Sequence, residues 1–253
     1  MNNTEKAFIC HLCKFLPDRK PGKRGPKPIS KKALITELFK LFKTNCGWRN
    51  IRYSTTCRNY IKEMQRRSKF KSFFNFLTKE LRKYRQKKTT TDSSDIESYR
   101  TNGLVKYSGK YHNYCIKMTV EFTPEYIPLD YSIDKGTEPD SYILDEMLEN
   151  KDKLPYEMYL DMGYERYSRR RDLKRRNCQV RMEMKNCDKN RKRGPRFIFT
   201  EEHKKQRGDI EKIFAWLKSF MAIRFNRLRL RSLIRAMFVF CLSFIAFRGL
   251  LKF

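Results

Sequence analysis

Acidic side chains are scarce in this chain. Only 28 Asp and Glu stand against 58 Lys and Arg, a formal net charge of +30 over 253 residues. A compact state so unbalanced repels itself unless a polyanion supplies counter-charge. Long apolar runs are also lacking: the longest, residues 236–247, is interrupted by Ser243, is too short for a bilayer and reads as a buried core helix. No secretory signal is recognisable, and no segment joins a strongly basic face to the low hydrophobicity of a membrane-surface helix, so no membrane partner is expected. Without such a signal the eight cysteines are expected in a reducing compartment and disulfides are not expected. Cys10, His11 and Cys13 form a Cys-x-x-Cys knuckle, but Cys46 and Cys57 are separated by ten residues rather than two to four. Buried thiols are therefore the preferred reading over a zinc site. No internal repeat is found.

What is present argues for a folded body that carries its charge on the surface. Hydrophobic residues make up 40% and aromatics 14%, with 19 Phe and 14 Tyr, whereas disordered basic tails are poor in aromatics. Nucleic acid is the expected partner. Three regions are expected: a basic flexible segment over 1–29 that ends in a Pro, Gly and Lys stretch, a helical domain over 30–86, and an α/β domain over 87–253.

Ser30 can cap a helix in which Leu34, Ile35, Leu38, Leu41 and Phe42 repeat with helical period. After the turn NCGWRN, Ser54 and Thr55 can cap a second, with Cys57, Tyr60, Ile61 and Met64 on one side and Arg58, Asn59, Lys62 and Arg66 on the other. Those four polar residues could enter a major groove. Phe70, Phe73, Phe74, Leu77, Leu81 and Tyr84 supply a third helix, so the group is helix-turn-helix-like, although an ordinary three-helix bundle with a solvated basic face fits the same pattern.

The polar run 86–91 marks a boundary. KYHNYCIKMTVEF and YIPLDYSI then read as adjacent strands, residues 141–149 as a helix, EMYLD as a short strand, 165–176 as a helix and CQVRMEM as a further strand. Strands in a run and then alternating with helices indicate a mixed α/β sheet. Residues 188–196 read as a basic loop, and Thr200 opens a long helix with the stripe Ile210, Ile213, Phe214, Leu217 and Phe220. A last helix is expected to close the core with Phe238, Phe240, Leu242, Phe244, Ile245 and Leu250.

Three carboxylates suit metal-dependent work on a phosphodiester, where two hard cations about 4 Å apart assist an in-line displacement. Asp161 ends an apolar strand segment, which can deliver a carboxylate to the rim of a sheet, although an Asp there also serves as a turn former. Asp92 lies in TTTDSSD, which equally fits a surface turn. Glu211 has Arg207 four residues before it and Lys218 seven after, all on roughly one side of a helix; intrahelical salt bridging explains that spacing as well.

Taken together, RGPKPIS, NCGWRNI, DSS at Asp92, YHNY from Tyr111, IPLDYSIDKGTEPDS from Ile127, LDMGYE around Asp161 and RGDIEKIFAWLK around Glu211 resemble the insertion-sequence transposases of the DDE type, specifically the compact group numbered five. The resemblance runs in order from about Arg24 onward. Lys204 stands where that group commonly has Tyr. It implies a ribonuclease-H-like fold with an N-terminal DNA-binding helical domain, and catalytic Asp92, Asp161 and Glu211 holding two magnesium or manganese ions. Water would cut the element's ends and the freed 3′ hydroxyl would attack target DNA. Arg207 and Lys218 would grip phosphates, and Arg58, Asn59, Lys62 and Arg66 would help find terminal inverted repeats, in a homodimer on DNA. Such a protein is expected in the cytoplasm with the nucleoid in a prokaryote, or in the nucleus of a eukaryote. A decayed or domesticated relative that only binds DNA is the alternative.

Overall fold

The computed structural model describes residues 1–18, 28–84, 87–99, 103–109, 112–149, 151, 153–182, 201–224 and 226–251. The chain divides into two compact units: Met1–Leu77 with Ser98–Asn102 and Leu217–Phe253, and Thr78–Glu97 with Gly103–Trp216.

The first unit is helical. It holds α1 (Asn3–Phe15), α2 (Lys31–Thr44), α3 (Ser54–Arg66), the start of α4 (Lys69–Tyr84), α8 (Met221–Arg224) and α9 (Arg231–Leu250). In α9 nearly every side chain from Leu233 to Phe247 is buried, the state of a helix that is apolar all round and sits at the centre of its neighbours. By length and hydropathy α9 is also long enough to cross a membrane, yet 83% of its apolar window is buried within the protein. Phe8 of α1 packs against Phe240 and Phe244 of α9 with ring centroids 5.4 and 5.2 Å apart, both nearly perpendicular. Phe39 of α2 meets Phe244 at 5.2 Å. Edge-to-face pairs of this kind add to what burial already contributes.

One sequence expectation changes here. Residues 3–15, expected within a flexible basic segment, form α1: the Asn2 side chain accepts from the Glu5 amide while the Glu5 carboxylate accepts from the Asn2 amide, a reciprocal capping box. Leu217–Phe253, read in the sequence with the sheet domain, falls in the compact unit of α1–α3, where Phe240 and Phe244 find partners on α1 and α2.

The second unit is a mixed sheet with helices. Its strands are β1 (Lys88–Glu97), β2 (Lys106–Ser108), β3 (Asn113–Phe122), β4 (Pro128–Lys135), β5 (Glu157–Leu160) and β6 (Gln179–Met182), in the order β2-β3-β1-β5-β6, with β4 also paired to β3. The β1–β3 and β3–β4 pairs are antiparallel, and β1–β5 and β5–β6 are parallel. Between the strands and after them come α5 (Asp140–Glu149), α6 (Tyr167–Arg175) and α7 (Glu201–Lys218), the last of which ends in the first unit. Leu144, Leu148, Met158, Leu160, Tyr164, Leu173 and Val180 form one apolar cluster of this unit. The basic loop expected over 188–196 lies outside the described residues.

The polar run before Asp92, which reads as a boundary, is part of the sheet's central strand. Thr89, Thr90 and Thr91 are buried there. Threonine is β-branched and favours the pleated backbone, and the paired strands β3 and β5 on either side carry large buried apolar residues.

Candidate active site

Two of the three expected carboxylates meet where the β1–β5 pairing ends. The last rung of that parallel ladder joins Thr91 to Leu160, so Asp92 and Asp161 are the next residue on each chain. Alternation along a strand puts Asp92 on the face of Thr90 and Asp161, still extended, on the face of Tyr159; Thr90 and Tyr159 are themselves a pair. Both carboxylates therefore leave the sheet on one face, each partly buried. Asp161 then opens a 3-10 turn, Met162–Tyr164, which the Tyr164 amide closes by donating to the Asp161 carbonyl at 3.0 Å.

Sequence reasoning assigned no role to the groups around this pair. Tyr164 is 1% exposed and its hydroxyl lies 2.6 Å from Ser93 Oγ, which in turn lies 2.7 Å from Thr119 Oγ1 on β3. Burial first, and then the charges of Asp92, Asp140 and Asp161, push the Tyr164 phenol well above its ordinary range against the opposing pull of the Ser93 bond, so it keeps its proton. Asp140 starts α5 and is held by Lys117 of β3 at 2.8 Å, while the same ammonium donates to the Glu138 carbonyl at 2.8 Å. Arg169 of α6 is buried and donates to the Tyr164 carbonyl, to the Ser141 carbonyl and, at 2.7 Å, to Asp145. In the sequence Ser93, Asp140 and Tyr164 are visible as members of the motifs DSS, IPLDYSIDKGTEPDS and LDMGYE.

Glu211 is exposed on α7. That helix meets the β3–β4 turn through Tyr126: Trp216 approaches its ring edge-on at 5.6 Å, and Lys212 Nζ lies 5.6 Å from the ring centre. Among the described residues no group of three His, Cys, Asp or Glu side chains is arranged to hold a metal. Lys218 is the last residue of α7 and partly buried, whereas the Arg207 side chain lies outside the described residues. The donor set still suits a hard cation. Magnesium takes oxygen ligands, keeps several waters and is commonly held by one or two carboxylates, which the Asp92 and Asp161 pair supplies.

The other expected contact residues lie on α3. Arg58, Asn59, Lys62 and Arg66 are all exposed, and Cys57, Tyr60, Ile61 and Met64 are all buried, as the helical period predicts. The Arg58 guanidinium stacks over Trp48 at 5.2 Å. Of the cysteines, Cys57 is buried with its thiol pushed up to about 11 by burial, but Cys10 is exposed and Cys13 and Cys46 are half-buried, so the reading of buried thiols does not extend to the knuckle.

A family model described as the transposase DDE domain matches residues 83–247. The chain belongs to that family. It is a DNA transposase, with a ribonuclease-H-like catalytic fold and membership of a family that generally works with divalent metal ions. Among solved structures, the piggyBac transposase in a synaptic complex with hairpin DNA is similar over 96% of this chain and 71% of that one, at 10% identity and a TM-score of 0.51. The catalytic domain of the Mos1 mariner transposase aligns over 69% of this chain and 84% of its own, at 9% identity and a TM-score of 0.31. The Mos1 strand transfer complex aligns over 89% and 78%, at 11% identity and a TM-score of 0.28. No curated protein matches the transposase.

Proposed function

We propose that Asp92, Asp161 and Glu211 are the catalytic carboxylates of the transposase and that they hold two magnesium or manganese ions. The observation that carries this reading is the placement of Asp92 and Asp161 side by side, on one face, at the end of the β1–β5 ladder. A pair of hard cations supplies, when bound, positive charge for the attacking and leaving oxygens of an in-line displacement at phosphorus. The protein's own part is to hold the donor oxygens and to grip DNA. Arg207 and Lys218 lie one helical turn before and two turns after Glu211, which suits contacts to phosphates beside the bond that is cut.

The exposed face of α3, with Arg58, Asn59, Lys62 and Arg66, reads the terminal inverted repeats of an insertion sequence, and a homodimer brings two ends together with target DNA. The motifs from Arg24 onward support placement in the compact group numbered five. Purified protein with Mn2+ and a labelled inverted-repeat duplex is expected to cut at the transposon end. Glu211→Gln is expected to abolish cutting while preserving DNA binding, and equal cutting by that variant overturns the assignment.

A second reading, a relative that only binds DNA, is favoured by the exposure of Glu211 and by Lys204 at the position where the group commonly has Tyr. Salt-sensitive DNA binding without nicking at any Mn2+ concentration selects it.

A further inference from the structure

We infer that Tyr164, acting through Ser93, is a positioning residue that sets the separation of Asp92 and Asp161. The inference rests on the reading of those two aspartates as metal ligands.

The argument starts from where the backbone stops helping. Up to Thr91 and Leu160 the two strands are held at the fixed spacing of a parallel ladder. Beyond that rung they part: β1 continues to Glu97 alongside β3, while the other chain bends into the turn Met162–Tyr164. Asp92 and Asp161 are the first residues past the fork, one step beyond the last rung of the β1–β5 ladder. Side chains link the two chains across the fork. Tyr164, at the end of the turn that Asp161 opens, bonds at 2.6 Å to Ser93, the residue after Asp92. The link does not swing freely, because Ser93 is tied at 2.7 Å to Thr119 on the neighbouring strand. The Tyr164 ring is fixed in the apolar cluster with Leu144, Met158 and Leu160, and its carbonyl accepts from the buried Arg169.

Ser93 alternates to the sheet face opposite Asp92. The chain of three hydroxyls therefore braces the fork from the face opposite the carboxylates. Partners of this kind fix the orientation of ligating groups, and their loss typically weakens metal binding about 10–100-fold.

The test uses the full chain and Mn2+ alone as the probe, with binding followed by isothermal titration calorimetry and folding by thermal melting. Tyr164→Phe keeps the ring and removes only the hydroxyl; it is expected to bind Mn2+ about 10–100-fold more weakly. Ser93→Ala is expected to lose a similar factor, the double variant to lose little more than either single one, and Ser93→Thr to restore binding. In DNA cleavage the Tyr164→Phe defect is expected to shrink as Mn2+ is raised to saturation, which a general loss of structure would not do. Wild-type Mn2+ affinity in both Tyr164→Phe and Ser93→Ala, beside a loss in Asp92→Asn, overturns the positioning role and leaves the ligand assignment standing. Unchanged affinity in Asp92→Asn overturns the ligand assignment, and the positioning role with it.

Discussion

Trp216 of α7 meets the ring edge of Tyr126 at 5.6 Å, and Tyr126 itself has a left-handed backbone, with φ at 66°. A bulky residue in that region is uncommon and persists where its surroundings hold it. Lys212, one turn before Trp216, lies over the same ring and donates to its hydroxyl at 3.4 Å. One residue with a left-handed backbone thus packs against the helix that carries Glu211. Tyr126→Ala is expected to cost about 0.5–1.5 kcal/mol for the ring pair beyond burial. If Glu211 acts in cleavage, the same variant is expected to cut several-fold more slowly with DNA affinity unchanged, measured by single-turnover cleavage beside an anisotropy titration.

The α3 face offers a separate prediction about binding. Arg58, Asn59, Lys62 and Arg66 are exposed together, and Arg58 is pre-oriented by its stacking on Trp48. Lys62→Ala is expected to weaken binding to an inverted-repeat duplex and to lower the slope of log affinity against log salt by about one. Trp48→Ala, which removes no charge, is expected to weaken binding with the slope unchanged. Anisotropy at several KCl concentrations separates the two.

Acid stability follows from Glu5. Its side chain is 4% exposed and bonded at 2.5 Å to Lys43. Burial raises its pKa, but the Lys43 bond, the Asn2 amide and nearby positive charge outweigh burial and hold it below the usual carboxylate value. A depressed folded-state pKa contributes stability that is present above the unfolded value and is lost as pH falls through the folded one. Glu5→Gln is therefore expected to lower stability at neutral pH by about 1–2 kcal/mol. Its unfolding curve is expected to depend less on pH below the unfolded carboxylate value of 4.5. Urea titrations at pH 7 and in that acid range check both statements.

Thr91 predicts a gain. Its hydroxyl is buried and, among the described residues, has no hydrogen-bond partner, as is also true of Thr89. A buried polar group left unpaired costs about 1–3 kcal/mol, so the near-isosteric Thr91→Val is expected to stabilise by about 1 kcal/mol and to raise Tm by about 2–4 °C. Calorimetry that shows a fall in Tm would reveal a hydroxyl partner beyond the described residues.

Phe8 touches the rings of Phe39, Phe73, Phe240, Phe244 and Phe247. Phe8→Ala is expected to cost about 3–5 kcal/mol, because the rings around the gap belong to several helices and cannot all collapse into it. A denaturant midpoint within error of wild type would contradict this.

These results show which parts of the molecule the sequence makes legible. The α3 face follows from the helical period alone, since burial of Cys57, Tyr60, Ile61 and Met64 matches the spacing residue by residue. The β3–β4 hairpin is equally plain, with apolar residues bounded by a short turn that the Thr123 amide closes onto the Ile127 carbonyl. β1 is not plain, because KTTTDSSDIE carries no large apolar residue before Ile96, and its position is set by neighbours far away in the chain. The capping box at Asn2 and Glu5, followed by Phe8, Ile9 and Leu12 at helical spacing, was readable and announces α1. Asp92 and Asp161 can be nominated from their local sequence, but Tyr164, Ser93 and Thr119 become partners only when three strands are assembled, and no local pattern encodes that meeting.

Because the helical unit recruits Leu217–Phe253 to complete itself, its assembly cannot keep pace with translation. A ribosome that has made α1, α2 and α3 has yet to make α9, whose side chains fill the space between them, and the entire sheet must emerge in the interval. The helix proposed to recognise DNA would thus mature last, so that a prematurely terminated chain carries its basic residues without the packed scaffold that aims them.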